Sequence, residues 1–168
     1  MKNFIHLIIV VLIIFTACQP KPKQPAFNSG NYNDDLSPAM KDSVTNEILE
    51  LTTNWAKAHS NKDADKAIEL WDNSPDLMFA ENGVFFPSRD SIYSYLKSFY
   101  QSASSMDLQW KQRVVIPLSI NAATMSGYFH AKAVFKTGDI FDINSMFTGV
   151  FVRKNNKWVM IHGHESFK

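Results

Sequence analysis

Apolar residues recur at three- and four-residue spacing in three stretches of the chain, which predicts three amphipathic helices. Asp42 or Ser43 is the expected cap of the first helix. Its apolar stripe consists of Val44, Ile48, Leu51, Trp55 and Ala58. A short second helix follows the break at 61–63, and Ser88 is the expected cap of the third. The stripe of the third helix consists of Ile92, Tyr95, Leu96, Phe99 and Tyr100.

Extended pieces are predicted both between these helices and after them. Residues 76–80 and 84–86 read as two short strands around a turn at 81–83. After Ser105 the period changes to two, and four long antiparallel strands are predicted at 106–116, 122–135, 140–153 and 158–167. Pro117, Gly138 and the Asn155-Asn156 pair are the expected reversals. Helices followed by a meander of strands predict a single α+β domain over 42–168.

The strand phase predicts which side chains face the helices. In the strands at 122–135 and 140–153, one face consists of apolar or small residues. In the first strand this face consists of Ala123, Met125, Gly127, Phe129, Ala131, Ala133 and Phe135. In the second strand it consists of Phe141, Ile143, Ser145, Phe147, Gly149 and Phe151. Small residues on this side leave room for helix side chains or for a cavity.

The final strand alternates between two different faces. Strict alternation places Trp158, Met160, His162, His164 and Ser166 together on one side. The other side then holds Val159, Ile161, Gly163, Glu165 and Phe167. We therefore expect the histidines on the outer face and Glu165 at the end of an apolar row facing the core.

The N-terminus carries targeting signals. A short basic start and an apolar run at 4–15 predict a signal peptide, because the run is shorter than the ~20 residues that span a bilayer. Phe15-Thr16-Ala17-Cys18 resembles a bacterial lipobox, and Cys18 is the only cysteine. We predict a signal peptide at 1–17, lipidation of Cys18, a disordered Pro/Lys-rich tether at 18–41 and a lipid-anchored location in the bacterial cell envelope. An ordinary signal peptide ending beside a cysteine is the alternative.

Composition narrows the range of functions. The formal net charge of +1 gives no basic face for nucleic acid. No phosphate-binding glycine loop, serine elbow or acidic metal cluster is visible, so no cofactor is predicted. Because the only cysteine is Cys18, a Cys/His nucleophile in the folded domain is excluded.

Several motifs resemble the SnoaL-like branch of the nuclear transport factor two-like superfamily. They are the strand, polar turn and tryptophan at 151–158, the closing His-x-His-x-Ser at 162–166, and Trp55 to His59 followed by Asp63. The resemblance implies a cone-shaped, curved antiparallel sheet of four long strands plus short strands, packed on three N-terminal helices. The closing motif is also similar to the association domain of calcium/calmodulin-dependent kinases, where an arginine at the Glu165 position faces the cavity. This fold hosts isomerases, cyclases, dehydratases and binding domains, so it does not fix the activity.

Glu165 is the candidate catalytic residue. Inside an apolar cone its carboxyl would have a raised pKa, which suits a general acid or base. The alternative is a solvated or salt-bridged position at the strand end. The candidate ligand pocket consists of Trp55, Phe79, Phe99, Phe147, Phe151 and Glu165.

His162 and His164 could present two imidazoles to a metal, but no third ligand is evident. We instead expect them to bond neighbouring groups or to line a dimer contact. A homodimer is predicted because the strand alternation places Tyr128, Trp158 and Met160 on the outer face of the sheet.

Three functions remain open at this point. The leading hypothesis is a membrane-tethered domain whose cone binds a small, mostly apolar molecule. The second is an acid/base enzyme of the isomerase, cyclase or dehydratase type that uses Glu165. The third is a structural or protein-interaction module with a filled cone.

Overall fold

The computed structural model describes residues 36–167, which form three helices and six strands, with two short strands between the second and third helices. The helices are α1 (Pro38–Ser60), α2 (Ala64–Ile68) and α3 (Arg89–Ser102). The strands are β1 (Met78–Glu81), β2 (Val84–Phe86), β3 (Ala103–Ser119), β4 (Ala122–Phe135), β5 (Ile140–Lys154) and β6 (Lys157–Phe167). The predicted α+β class, with a curved sheet packed on three helices, is confirmed. The predicted signal peptide, Cys18 and the tether up to residue 35 lie outside the described residues.

One six-stranded sheet carries all the strands, in the order β2-β1-β6-β5-β4-β3. The four long strands pair antiparallel, as predicted, and β1 adds to β6 in parallel. The inner face of this sheet packs with the helices around one core that includes Ile48, Phe129 and Phe151. Among the described residues, no helix has both the length and the apolar composition to cross a membrane.

Helix α1 begins earlier than the sequence predicts. The side chain of Ser37 accepts a hydrogen bond from the backbone N–H of Met40 at 3.3 Å, and Pro38 occupies the first turn. A proline fits there because its missing N–H would have no helical partner. Residues 38–41, which were expected to end the tether, are therefore helical, and the cap is not Asp42 or Ser43.

Strand β3 continues through Pro117 to Ser119, so the expected reversal at this proline is wrong. The turn falls instead at residues 120–121. Because β3 is the last strand of the sheet, one of its edges has no neighbour, and a proline without an N–H is tolerated there.

A β-bulge in β6 reverses its predicted phase. Phe151 pairs with Met160 and Val150 pairs with His162, which leaves Ile161 as an extra residue. Trp158 and Met160 consequently lie buried on the inner face, and not on the outer face with the histidines. Gly163 and Glu165 keep the inward orientation that was predicted for them.

The bulge changes two expectations. Val159 and Ile161 were expected on the same face as Glu165, but they lie on the opposite face. Trp158 and Met160 share the inner face with Glu165 instead. These two residues also cannot support the predicted homodimer, which stays a prediction. The outer face instead exposes Val114, Ile116 and Met146.

Gly163 is required by the close packing between β6 and the segment before β1. A Cβ atom at this position would lie 2.8 Å from Cη2 of Trp71 and 3.1 Å from Cδ2 of Phe79. Both rings are buried, so neither can move without disturbing the core.

We expect Gly163→Ala to lower the free energy of unfolding by about 1–3 kcal/mol, the usual cost of overpacking. The neighbouring His164→Ala serves as the control, because His164 is exposed on the outer face and its loss should change stability little. Urea unfolding of the two variants gives the comparison. Equal stability of Gly163→Ala and the wild type would show that the Trp71 contact is not tight.

Candidate functional site

A cavity of about 70 Å³ lies between α1, α3 and the inner face of the sheet. Most of its lining is aromatic or aliphatic and includes Trp71, Leu96 and Phe129. Five ionisable side chains interrupt this surface, which are Glu81, Glu165, Tyr95, Tyr100 and His59. The cavity contains no lysine or arginine in its described lining.

Four of the six predicted pocket residues line this cavity: Trp55, Phe79, Phe99 and Glu165. Phe147 and Phe151 do not. Phe147 packs in the core, with its ring 5.9 Å from the rings of Trp55 and Trp110. Phe151 is fully buried in the core and does not reach the cavity.

Glu165 is 8% exposed and faces the cavity from β6. The hydroxyl of Ser145 donates to its Oε1 at 2.9 Å. Burial raises the pKa of Glu165 to about 8, and the Glu81 carboxyl adds to the rise, while the Ser145 hydrogen bond opposes it. At neutral pH the carboxyl is therefore mostly protonated and able to donate a hydrogen bond.

Glu81 is the second carboxyl of the site. The parallel pairing of β1 with β6 places Glu81 directly beside Glu165 in the register. Burial raises the pKa of Glu81, and the hydroxyl of Tyr95 approaches its Oε1 at 3.4 Å. Burial and the two carboxyls also raise the pKa of Tyr95, so its hydroxyl stays a donor.

These two carboxyls form a coupled pair. Two like charges in a low-dielectric site cannot easily coexist, so ionisation of one raises the pKa of the other. No described basic side chain lines the cavity to neutralise the two carboxylates. Their repulsion is therefore reduced when one of them holds a proton. This is the arrangement in which a carboxyl can donate or accept a proton near neutral pH.

His59 contributes a separate polar group from the last turn of α1. Its Nδ1 lies 2.8 Å from the hydroxyl of Tyr100, and its ring packs edge-on against Trp55 with centroids 4.1 Å apart. Burial lowers the pKa of His59 to about 3, so the ring is neutral at physiological pH.

The structure places His162 and His164 on the outer face of the sheet, away from Glu165. His162 pairs with Val150 and His164 with Thr148 across the strands. Within residues 36–167, no three histidine, cysteine, aspartate or glutamate side chains gather as metal ligands.

Sequence reasoning missed several residues of the site. Glu81 was assigned to a turn, and nothing in the local pattern indicates that β1 pairs with β6. Ser145 could have been found, because it is the only hydroxyl in the apolar row of β5. His59 was also within reach, since it lies one helical turn from Trp55 on the same face.

We expect the stability of the wild type to fall between pH 6.5 and 8. In this interval Glu165 is ionised in the unfolded chain but still protonated in the folded one, so the folded state loses its advantage as pH rises. One proton over 1.5 pH units corresponds to about 2 kcal/mol of unfolding free energy. Glu165→Gln should abolish this decline, as urea unfolding across the interval would show.

The lower limit of that interval is set by His59. Its pKa is lowered on folding from 6.5, so its own contribution is lost only as pH falls below 6.5 and has the opposite sign. If the unfolding free energy of Glu165→Gln falls over this interval as much as that of the wild type, another group is responsible for the decline.

Residues 48–168 match the SnoaL-like domain family. No curated protein matches the sequence. Among solved structures, a candidate scytalone dehydratase from Novosphingobium aromaticivorans is similar with a TM-score of 0.72 and 8% identity, over 79% of this chain and 89% of that one. The type 2 hexachlorocyclohexane dehydrochlorinase LinA is similar with a TM-score of 0.68 and 9% identity, over 79% of this chain and 90% of that one.

A third similar structure is a candidate calcium/calmodulin-dependent protein kinase II association domain from Xanthomonas campestris. Its TM-score is 0.63 at 22% identity, over 73% of this chain and 86% of that one. At these identities the likeness to all three structures concerns the fold alone.

Proposed function

We propose that this chain, which belongs to the SnoaL-like domain family, binds a small, mostly apolar molecule in the cavity beside Glu165. The observation that carries this proposal is a pair of carboxyls, Glu165 buried and Glu81 partly buried, that faces an apolar cavity without a described basic partner. Such an arrangement costs folding free energy, and perturbed carboxyls of this kind cluster at functional sites. The aromatic lining supplies the apolar contact, and Glu165 with Glu81 meets a polar group of the ligand.

The size of the cavity limits the ligand. Pockets for drug-sized molecules usually occupy ~300–1,000 Å³, whereas this cavity has about 70 Å³. The ligand is therefore small, or it enters with a displacement of the rim. Tyr95 is 39% exposed, more than any other residue of the lining, and its ring lies 6.2 Å from that of the partly buried Phe99, so we expect the displacement at these two side chains.

Native mass spectrometry tests this proposal by comparing how much bound small molecule the wild type and its variants carry. The purified wild type should carry a bound mass, and Glu165→Gln should reduce its occupancy about tenfold, because an amide cannot replace a carboxyl that shares a proton. Glu50→Gln is the matched control, since Glu50 is exposed and away from this cavity. Equal occupancy in all three proteins would exclude the carboxyl pair from binding.

Acid/base catalysis is the second candidate function. It is favoured by the pKa of Glu165 near 8, which allows proton transfer near neutral pH. Two of the similar structures are named as a candidate dehydratase and a dehydrochlorinase, names that denote eliminations, a reaction class that such a residue could serve. Turnover that disappears in Glu165→Gln would distinguish an enzyme from a binding protein.

We also propose that lipidation of Cys18 tethers the domain to a membrane of the bacterial envelope. The support is the sequence pattern at 1–18, where the only cysteine follows an apolar run and two small residues.

Palmitate labelling tests this tether. The wild type should incorporate the label and sediment with membranes, and Cys18→Ala should be unlabelled and soluble after cell lysis, because it has no acyl chain. Ser37→Ala is a suitable control, because it changes the cap of α1 and leaves the lipidation site intact. Unchanged fractionation of Cys18→Ala would contradict the tether.

A further inference from the structure

Two buried nitrogen atoms of the cavity-lining residues lack a hydrogen-bond partner in the described part of the chain. They are Nε1 of Trp55 and Nε2 of His59. The two residues lie one turn apart on α1, and their rings are in contact with centroids 4.1 Å apart. Folded proteins rarely leave buried polar groups unpaired, because such groups give up their bonds to water without replacement.

The hydrogen bond between Tyr100 and His59 is the basis for assigning which ring nitrogen carries the hydrogen. Among the described residues, the Tyr100 hydroxyl has one hydrogen-bond partner, Nδ1 of His59 at 2.8 Å. The distance alone allows either group to donate. We assign the donation to the hydroxyl, because the described residues offer its hydrogen no other acceptor. Nδ1 then accepts, and the hydrogen of the neutral imidazole is on Nε2. Consequently both unpaired nitrogens are N–H donors, and each requires an acceptor.

Other indoles of the protein show that such a lack is not general. Nε1 of Trp110 donates to the carbonyl oxygen of Thr52 at 3.0 Å. Nε1 of Trp158 donates to the carboxylate of Glu47 at 2.8 Å. The unpaired donors are thus specific to the residues that line the cavity.

We propose that the ligand of this cavity is a small neutral carbonyl compound whose oxygen accepts hydrogen bonds from Trp55 Nε1 and His59 Nε2. A carbonyl oxygen has two lone pairs, which allows it to accept from two donors at once. An anionic ligand is disfavoured, because Glu81 and Glu165 line the same cavity. This inference rests on the proposed function and adds the chemical class of the ligand.

The test compares two ligands that differ only at the carbonyl. Acetone, which is small enough for this cavity, carries the oxygen, and 2-methylpropene replaces it with a CH₂ group of similar shape. The affinities of the purified chain for both are measured by ligand-observed NMR titration. We expect the wild type to bind the ketone about tenfold more tightly, which is the usual effect of one or two hydrogen bonds on affinity.

Two variants identify the donors. Trp55→Phe removes one N–H from the cavity and should bring the two affinities within about threefold. Trp110→Phe is the matched control and should keep the ketone preference, because its N–H is already paired outside the cavity. Since the wild-type comparison needs no variant, it decides the proposal even if Trp55→Phe does not fold.

The outcomes separate this inference from the proposed function. Equal affinity of the wild type for both ligands overturns the carbonyl inference and leaves an apolar binding cavity. Loss of the preference in Trp110→Phe as well as in Trp55→Phe also overturns it, because the effect would not be specific to the cavity. If neither ligand binds and no bound mass accompanies the purified protein, the cone is filled and both proposals fail.

Discussion

Strand β6 pairs with β5 on one side and with β1 on the other, and the rest of the domain depends on the register of these two pairings. The bulge at Ile161 turns Trp158 and Met160 into the core while the following residues keep Glu165 inside. At the bulge, the backbone N–H of Met160 donates to the carbonyl of Leu70, and its carbonyl accepts from Asp72. The bulge and the adjacent Met160 thus connect β6 to the segment after α2, to the core and to the candidate site.

The same register creates the electrostatic constraint at the site. Because Glu81 and Glu165 are aligned on neighbouring parallel strands, neither carboxyl can ionise without raising the pKa of the other. A hydrophobic pair of similar size would stabilise the fold better. Two carboxyls beside an apolar cavity therefore cost stability, and this cost is the physical basis of the proposed function.

Much of the fold could be predicted, because alternation in β4 and β5 is regular and the helix stripes are clear. The inward phase of Phe129 and Phe147 follows directly from that alternation. The bulge could not be predicted, since a single inserted residue leaves no mark in the local pattern and depends on partners near Leu70 and Asp72. The reversal predicted at Pro117 was wrong for a related reason. A strand can continue through a proline when it lies at the edge of the sheet, and the sequence does not show that β3 is an edge strand.

The candidate site was only partly predictable, because it too depends on contacts between residues that are far apart in sequence. Glu165 emerged from alternation because it lies beyond the bulge in the same phase as Gly163. Its partner Glu81 depends on a parallel pairing between strands far apart in sequence. The pair Trp55 and His59 was visible as a helical spacing, but its lack of partners depends on the tertiary structure.

The most direct test of this account is the titration of Glu165 itself. Carbon-13 NMR of the labelled side-chain carboxyl, with Glu165→Gln used to assign the resonance, measures its ionisation in the folded protein. We expect a midpoint near pH 8, because burial and the neighbouring Glu81 raise the pKa of Glu165. A midpoint near the ordinary value of 4.5 would show a solvated carboxyl and contradict the proposed site.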